Sequence, residues 1–290
     1  MSRYLTVVVL ALCTVPFCVT RAYAGCKGST AITDTRALQL RALLSDAPSV
    51  STFHALSETT DSTGWKFVLY LSENAGDRTN AGSVYLAGVT SDNAEKVVFT
   101  YDVSRYLEQL ESQVTKPSES RVPKALQQGQ TLDGCLNTLQ LPGGVQGLHL
   151  SLFLEDPQSG TSGATDTLFT IQAPTSLQPV LELEGTSLVR TRASRKVAHQ
   201  DSTIWLRQTS GDVTEVIWEQ FNRTFMGIMT ADYSLNAVYK WEGNSFHKVG
   251  TLQPNQLADH LKGALALKRC GAIIPLRFEV EKLRPNQPAP

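Results

Sequence analysis

Residues 202–250 read STIWLRQTSGDVTEVIWEQFNRTFMGIMTADYSLNAVYKWEGNSFHKVG and leave few choices of fold. Short alternating runs are cut by Ser-Gly-Asp, Phe-Asn-Arg, Asp-Tyr-Ser and Gly-Asn. Ile204 and Leu206 fall on one strand face, Trp205 and Arg207 on the other. Val216 and Trp218, then Phe225, Ile228 and Met229, then Val238, Tyr239 and Trp241, supply further apolar faces. Period-two alternation of β-branched and aromatic residues, interrupted by turn residues every eight to twelve positions, specifies an antiparallel meander. Three of the four Trp residues lie here, which predicts the densest part of the core.

The same pattern recurs upstream. Trp65, Phe67, Leu69 and Leu71 alternate with Lys66, Val68 and Tyr70, and SVYLAGV and KVVFTYD follow after polar turns, giving a three-strand meander. In GLHLSLFLED, Leu148, Leu150, Leu152 and Leu154 point one way and His149 the other; TLFTIQA, PVLELE and SLVRTR follow as strands. FVLYLSENAG…GSVYLAGV and LHLSLFLEDPQSG…TLFTIQA share a strand–acid–turn–strand pattern, although any two hairpins read much alike. Helices are expected at Asp34–Asp46, at Ser104–Val114 with Tyr106, Leu107, Leu110 and Val114 inward, and at Gln256–Arg269. The last would be capped by Asn255, with Lys268 and Arg269 at its C-terminal dipole and Gly271 as its stop. IIPLRFEV reads as a final strand.

The chain opens with Arg3, an apolar run from Leu5 to Val19 and the small-x-small string Ala22-Tyr23-Ala24, the pattern of a secretory signal peptide. About 15 apolar residues are too few to cross a ~30 Å hydrocarbon core, and no other stretch approaches that length. Loss of Arg3 and Arg21 from the 26 basic residues leaves 24 against 27 acidic ones, a net charge near −3. Such a surface argues against nucleic acid or an anionic membrane face as the main partner. The organisation expected is a signal peptide over 1–24, an N-terminal helix and meander over 25–115, and a Pro-containing linker or long loop over 116–130. A larger β-rich unit with a C-terminal helix covers 131–283, and a Pro-rich disordered tail is expected over 284–290.

Tyr23-Ala24-Gly25-Cys26 resembles a bacterial lipobox, in which the cysteine is acylated and becomes the new N-terminus. Tyr23 stands where an aliphatic residue is usual, and Arg21 interrupts the apolar run. Two readings therefore stand: cleavage after Ala24, or a lipid anchor on Cys26. Cysteine arithmetic links to this choice, since Cys26, Cys135 and Cys270 are an odd number for an oxidising compartment. With Cys26 acylated, Cys135 and Cys270 remain as a pair; otherwise Cys26 competes as a partner. A Cys135–Cys270 bridge, worth ~4 kcal/mol by chain entropy, is the expected pairing, against a reading of both as small buried residues.

No catalytic, cofactor or metal constellation is visible. His54, His149, His199, His247 and His260 are scattered, with no pair at i, i+2 or i, i+4 for a metal. HEXXH, GxGxxG, the P-loop, CxxC and Gly-x-Ser-x-Gly are absent. Acidic residues at Glu73–Asp77, at Glu155, Asp156 and Asp166, and at Asp201 lack the alternating pattern of a calcium loop and read as solvated turns. Asn222-Arg223-Thr224 matches a glycosylation acceptor, which matters only in a eukaryotic secretory pathway, and the Ala-Tyr-Ala ending reads as bacterial. The most distinctive string is Tyr239 to Phe246, YKWEGNSF, which is similar to hairpins of secreted bacterial β-repeat and adaptor domains. Tyr239, Trp241 and Phe246 are a candidate aromatic binding patch if exposed, and core if not.

The fold expected is β-rich α+β, antiparallel meanders forming a sandwich or curled sheets with a few peripheral helices. The function expected is an exported, periplasmic or secreted, non-enzymatic module binding a macromolecule or small ligand without a cofactor. The alternatives are an extracytoplasmic hydrolase assembled from dispersed residues and a structural lipoprotein anchored through Cys26.

Overall fold

The computed structural model describes residues 32–44, 50–74, 83–90, 94–114, 131–156, 161–172, 176–191, 196–226 and 229–267. The signal segment, the 116–130 linker, the IIPLRFEV strand, the tail, Cys26 and Cys270 lie outside the described residues. The rest is an antiparallel, β-rich α+β fold. Helix α1 (Asp34–Leu44) precedes a four-stranded sheet of β1 (Val50–Thr60), β2 (Lys66–Asn74), β3 (Ser83–Thr90) and β4 (Lys96–Asp102). Helix α2 (Ser104–Val114) leads to β5 (Thr131–Leu141), β6 (Val145–Asp156), β7 (Thr161–Gln172) and β8 (Ser176–Thr191). Then come β9 (Lys196–Thr209), β10 (Asp212–Met226), β11 (Met229–Glu242) and β12 (Ser245–Leu252), α3 (Pro254–His260) and a short β13 (Leu265–Ala266). From β1 to β4 and from β5 to β12, each strand pairs with its neighbour in sequence, as turn chemistry dictates. The Ser210-Gly211 turn shows why: both residues have positive φ, 54° and 96°, which matches the twist of the flanking strands.

Alternation along single strands organises three cores. On β2, Phe67, Leu69 and Leu71 face one core and Val68 and Tyr70 another, so the strand is buried on both sides. The outer face, with Ala87 and Val89 of β3, is covered by α1 through the fully buried Leu40. Arg36 of α1 pins that helix, donating from Nε to Glu58 of β1 at 3.0 Å and from Nη1 to Glu95 at 2.7 Å. The inner face meets Leu148, Leu150, Leu152 and Leu154 of β6, with Tyr106, Leu107 and Leu110 of α2 closing the same core. The two hairpins of similar sequence thus lie on either side of one core. Four leucines at ~1.5–3 kcal/mol each make this ladder a large contribution to stability.

The third core lies inside the curl of the long sheet. Beyond the register of Ser187 with Gln200, β8 and β9 part company. The β5–β8 half then faces the β9–β12 half around Leu168, Leu181, Leu183, Ile204, Val216 and Phe246. The edge that β8 leaves open on β9 is taken by β13, with Leu265 opposite Leu206 and Ala266 opposite Trp205. The curled-sheet expectation holds, and β5–β8 is buried on both faces.

Several elements depart from the sequence reading. The C-terminal helix ends at His260 rather than at Arg269: Gly263, with φ +78°, turns the chain, and the open edge of β9 draws Leu265 and Ala266 into pairing. The helix starts behind Gln253, whose backbone N–H donates to Gln256 Oε1 at 3.0 Å, so Asn255 is inside the first turn rather than its cap. PVLELE and SLVRTR join into the single strand β8. Strands β1 and β5 alternate only weakly in sequence, because beside Leu56, Leu136 and Leu141 several of their buried positions are polar or small. Ser57 and Thr59 are buried in β1, as are Gly134, Cys135 and Asn137 in β5.

Candidate functional site: a two-tryptophan cleft

Four hairpin ends converge on one cleft of about 490 Å³, within the ~300–1,000 Å³ range of small-ligand sites. The β1–β2 turn contributes Asp61, Thr63 and Trp65; the β5–β6 turn contributes Val145 and Gln146. The end of β7 adds Thr170, Ile171 and Gln172, and the β11–β12 hairpin adds Trp241 and Asn244. Trp65 packs against the core beneath α2 and Trp241 against the core inside the curl, so the cleft lies where both cores reach the surface.

The turn holding Trp65 is built by one carboxylate. Asp61 Oδ1 accepts from Thr63 N at 2.8 Å, Thr63 Oγ1 at 2.7 Å and Trp65 N at 2.9 Å. Gly64, at φ 91°, supplies the left-handed residue this turn requires. Gln146 Nε2 donates to Ser62 Oγ at 3.1 Å and ties this turn to the β5–β6 hairpin. Across the cleft, Gln172 Nε2 donates to Gln178 Oε1 at 2.6 Å. Bonds of this kind hold the lining amides in place.

The three aromatics singled out in the sequence divide their roles. Phe246 is 6 % exposed and belongs to the core, with its ring edge-on to Trp241 at 5.1 Å between centroids and 75° between planes. Tyr239 is half-buried against the same core, and burial raises its phenol pKa above the ordinary value. Only Trp241 lines the cleft. Its partner there, Trp65, was read as one more apolar strand residue. The available signal was position: Trp65 directly follows the Gly64 turn and Trp241 lies just ahead of the Gly243 turn.

A second polar constellation is sealed. His149, on the opposite face of β6 from the leucines, is fully buried together with Asp166 of β7. Asn137 Nδ2 donates to His149 Nδ1 at 3.1 Å, and His149 Nε2 donates to Asp166 Oδ1 at 2.9 Å. Asp166 is therefore not in a solvated turn, as the acidic-loop reading had it; the β6–β7 register brings it beneath the curl beside Ser151. Ser151, His149 and Asp166 are the residue types of a hydrolytic triad, yet both imidazole nitrogens are occupied by Asn137 and Asp166, leaving none for the Ser151 hydroxyl.

The remaining candidates are dispersed. His54 and His247 are exposed; His247 Nε2 lies 2.9 Å from Ser245 Oγ, without a carboxylate on its other nitrogen among the described residues. His260 Nε2 is 2.8 Å from Glu215 Oε1, and Arg207 donates to the His260 carbonyl, a clamp holding α3 onto β9 and β10. Neither pair reaches the cleft. Cys135 is fully buried and is not a free thiol. Among the described residues no three His, Cys, Asp or Glu gather to hold a metal, and no helix is long and apolar enough to cross a membrane. No protein-family model, curated protein or solved structure matches the chain.

Proposed function

We propose that this chain is an exported, non-enzymatic binding protein that takes its ligand in the cleft between Trp65 and Trp241. The observation that carries the reading is the contrast in access. The described cleft has two indoles, amides, hydroxyls and one carboxylate but no histidine, while the best-formed acid–histidine pair is fully buried. A binding site needs shape, apolar area and a few fixed polar groups, which the cleft supplies. Hydrolysis needs a base, and usually a second group, within reach of a bound substrate; the described lining offers one carboxylate, Asp61, whose Oδ1 is spent on its own turn. The rival hydrolase reading is correspondingly weaker.

Export rests on residues 1–24, and the pairing of Cys135 with Cys270 or Cys26 belongs to the same reading. The full burial of Cys135 and its engaged sulfur are consistent with such a bridge in an oxidising compartment. Intact mass of the protein from its native host, with thiols alkylated before and after reduction, tests these points together. A chain starting at Gly25 with one disulfide is expected. A diacyl or triacyl mass on Cys26 would instead establish the lipid-anchored alternative. Native mass spectrometry of the same preparation tests the cleft: a bound small molecule is expected with the unaltered chain and absent with Trp241→Ala. Equal retention by both moves the ligand elsewhere and ends the cleft reading.

A further inference from the structure

We infer that the ligand class of this cleft is a neutral saccharide; the inference rests on the cleft being the ligand site. Four properties of the lining select it. First, the described lining holds no Lys, Arg or His. A phosphate, sulfate or uronate would therefore give up its hydration without a counter-charge to replace it.

Second, the one carboxylate, Asp61, spends Oδ1 on three hydrogen bonds that build its own turn. That leaves only Oδ2 to a ligand, enough to accept from hydroxyls but a poor cage for a cation, which needs several oxygens.

Third, Trp65 and Trp241 come from different sheets, each half-buried and anchored from behind by a core. Both indoles line the cleft and, held by the cores behind them, have little side-chain entropy left to lose on binding. A pyranose ring has a C–H face that lies on an indole and an equator of hydroxyls that are both donors and acceptors.

Fourth, the polar groups around the indoles match that equator. Gln146 and Gln172 each donate one amide N–H within the protein and keep a carbonyl acceptor and a second N–H. Asn244, exposed at the hairpin tip, offers both a donor and an acceptor. An extended peptide fits less well, because the cleft is walled by the ends of hairpins rather than by a long strand edge. A purely apolar ligand would bury these amides and hydroxyls without partners.

The test is titration of the mature full-length protein with di-N-acetylchitobiose, maltotriose and, as the anionic control, digalacturonate, followed by intrinsic Trp fluorescence and calorimetry. Saturable binding of at least one neutral sugar is expected, with digalacturonate at least tenfold weaker. Trp241→Ala should weaken the neutral sugar tenfold or more. Asn244→Ala, at an exposed turn where folding is not at stake, should weaken it a few-fold with an unchanged melting temperature. Preference for digalacturonate, or failure of both neutral sugars to bind, overturns the saccharide assignment. If native mass spectrometry still shows a non-sugar molecule lost on Trp241→Ala, the cleft reading survives that failure. If neither sugar nor native ligand depends on Trp241, both fall together.

Discussion

The buried cluster at His149 and the open cleft at Trp241 are opposites. The first collects a serine, a histidine, an aspartate and an asparagine, all from the middle of sheet strands, and excludes water from them. The second collects groups from four hairpin ends, nearly all of them uncharged, and leaves them open to solvent. Residue type alone would rank the first as the site; access ranks the second. The difference follows from position along the strand. A residue in mid-strand of a sheet covered on both faces can only be structural, whereas one at a turn meets whatever approaches the sheet's end.

The contrast breaks most visibly at His149. Replacing it with Ala leaves Asp166 buried without its histidine partner, and a loss of ~3–5 kcal/mol is expected in denaturant unfolding. Replacing both His149 and Asp166 with Leu should cost less than the single change, since no charge is then stranded. Ligand affinity of whatever folds should be unaltered. Trp241→Ala should do the reverse, removing ligand binding while costing about 1–3 kcal/mol through the lost edge contact with Phe246.

Two smaller effects sharpen the comparison by titrating charges that belong to neither region. Arg36→Ala should cost about 1 kcal/mol and raise amide exchange in α1, because it unties Glu58 and Glu95 together. Arg36, through its hydrogen bonds, holds the Glu95 carboxyl below its ordinary value of 4.5. That contribution is present above pH 4.5 and fades as the pH falls through the folded value, so the variant should show a flatter acid limb.

Glu111 on α2 behaves the other way. Burial, then the neighbouring Glu108, pushes its carboxyl up to about 7 from the usual 4.5. The folded chain holds that proton more tightly than the unfolded one, so folding is unpenalised below pH 4.5 and the full penalty stands only above pH 7. Glu111→Gln should therefore stabilise at pH 8, by no more than about 1 kcal/mol because water reaches part of the carboxyl. The gain should vanish at pH 4, as read from melting temperatures across that range.

The meander was legible because its strands alternate strongly. The leucines of β6 and the 202–250 run carry the period, and α2 its inward stripe. Of the turns, Ser210-Gly211 and Gly243-Asn244 are found, whereas Phe221–Arg223 and Asp232–Ser234 are not turns but lie paired with each other inside the long strands β10 and β11. Strands β1 and β5 were not legible, since Ser57, Thr59, Cys135 and Asn137 look polar or small yet point into cores that only the partner sheet defines. The short α3 shows the same limit: local pattern favoured a longer helix, and an open strand edge far away in sequence outweighed it. Of the site, Trp241 was legible and its setting was not. A cleft made from four turns is a property of how hairpins end together, and no single segment records it.

The seam where β8 leaves β9 also bears on the order of events during synthesis. The residues that fill it, Leu265 and Ala266, come after all twelve strands of the two meanders. Until they emerge, the backbone groups of β9 around Trp205 and Leu206 stand open as an edge that any passing strand can pair with. A chain made from its N-terminus can thus assemble the core between β1–β4, α2 and the β6 leucines early, while this edge of β9 stays unpaired until its last described strand arrives.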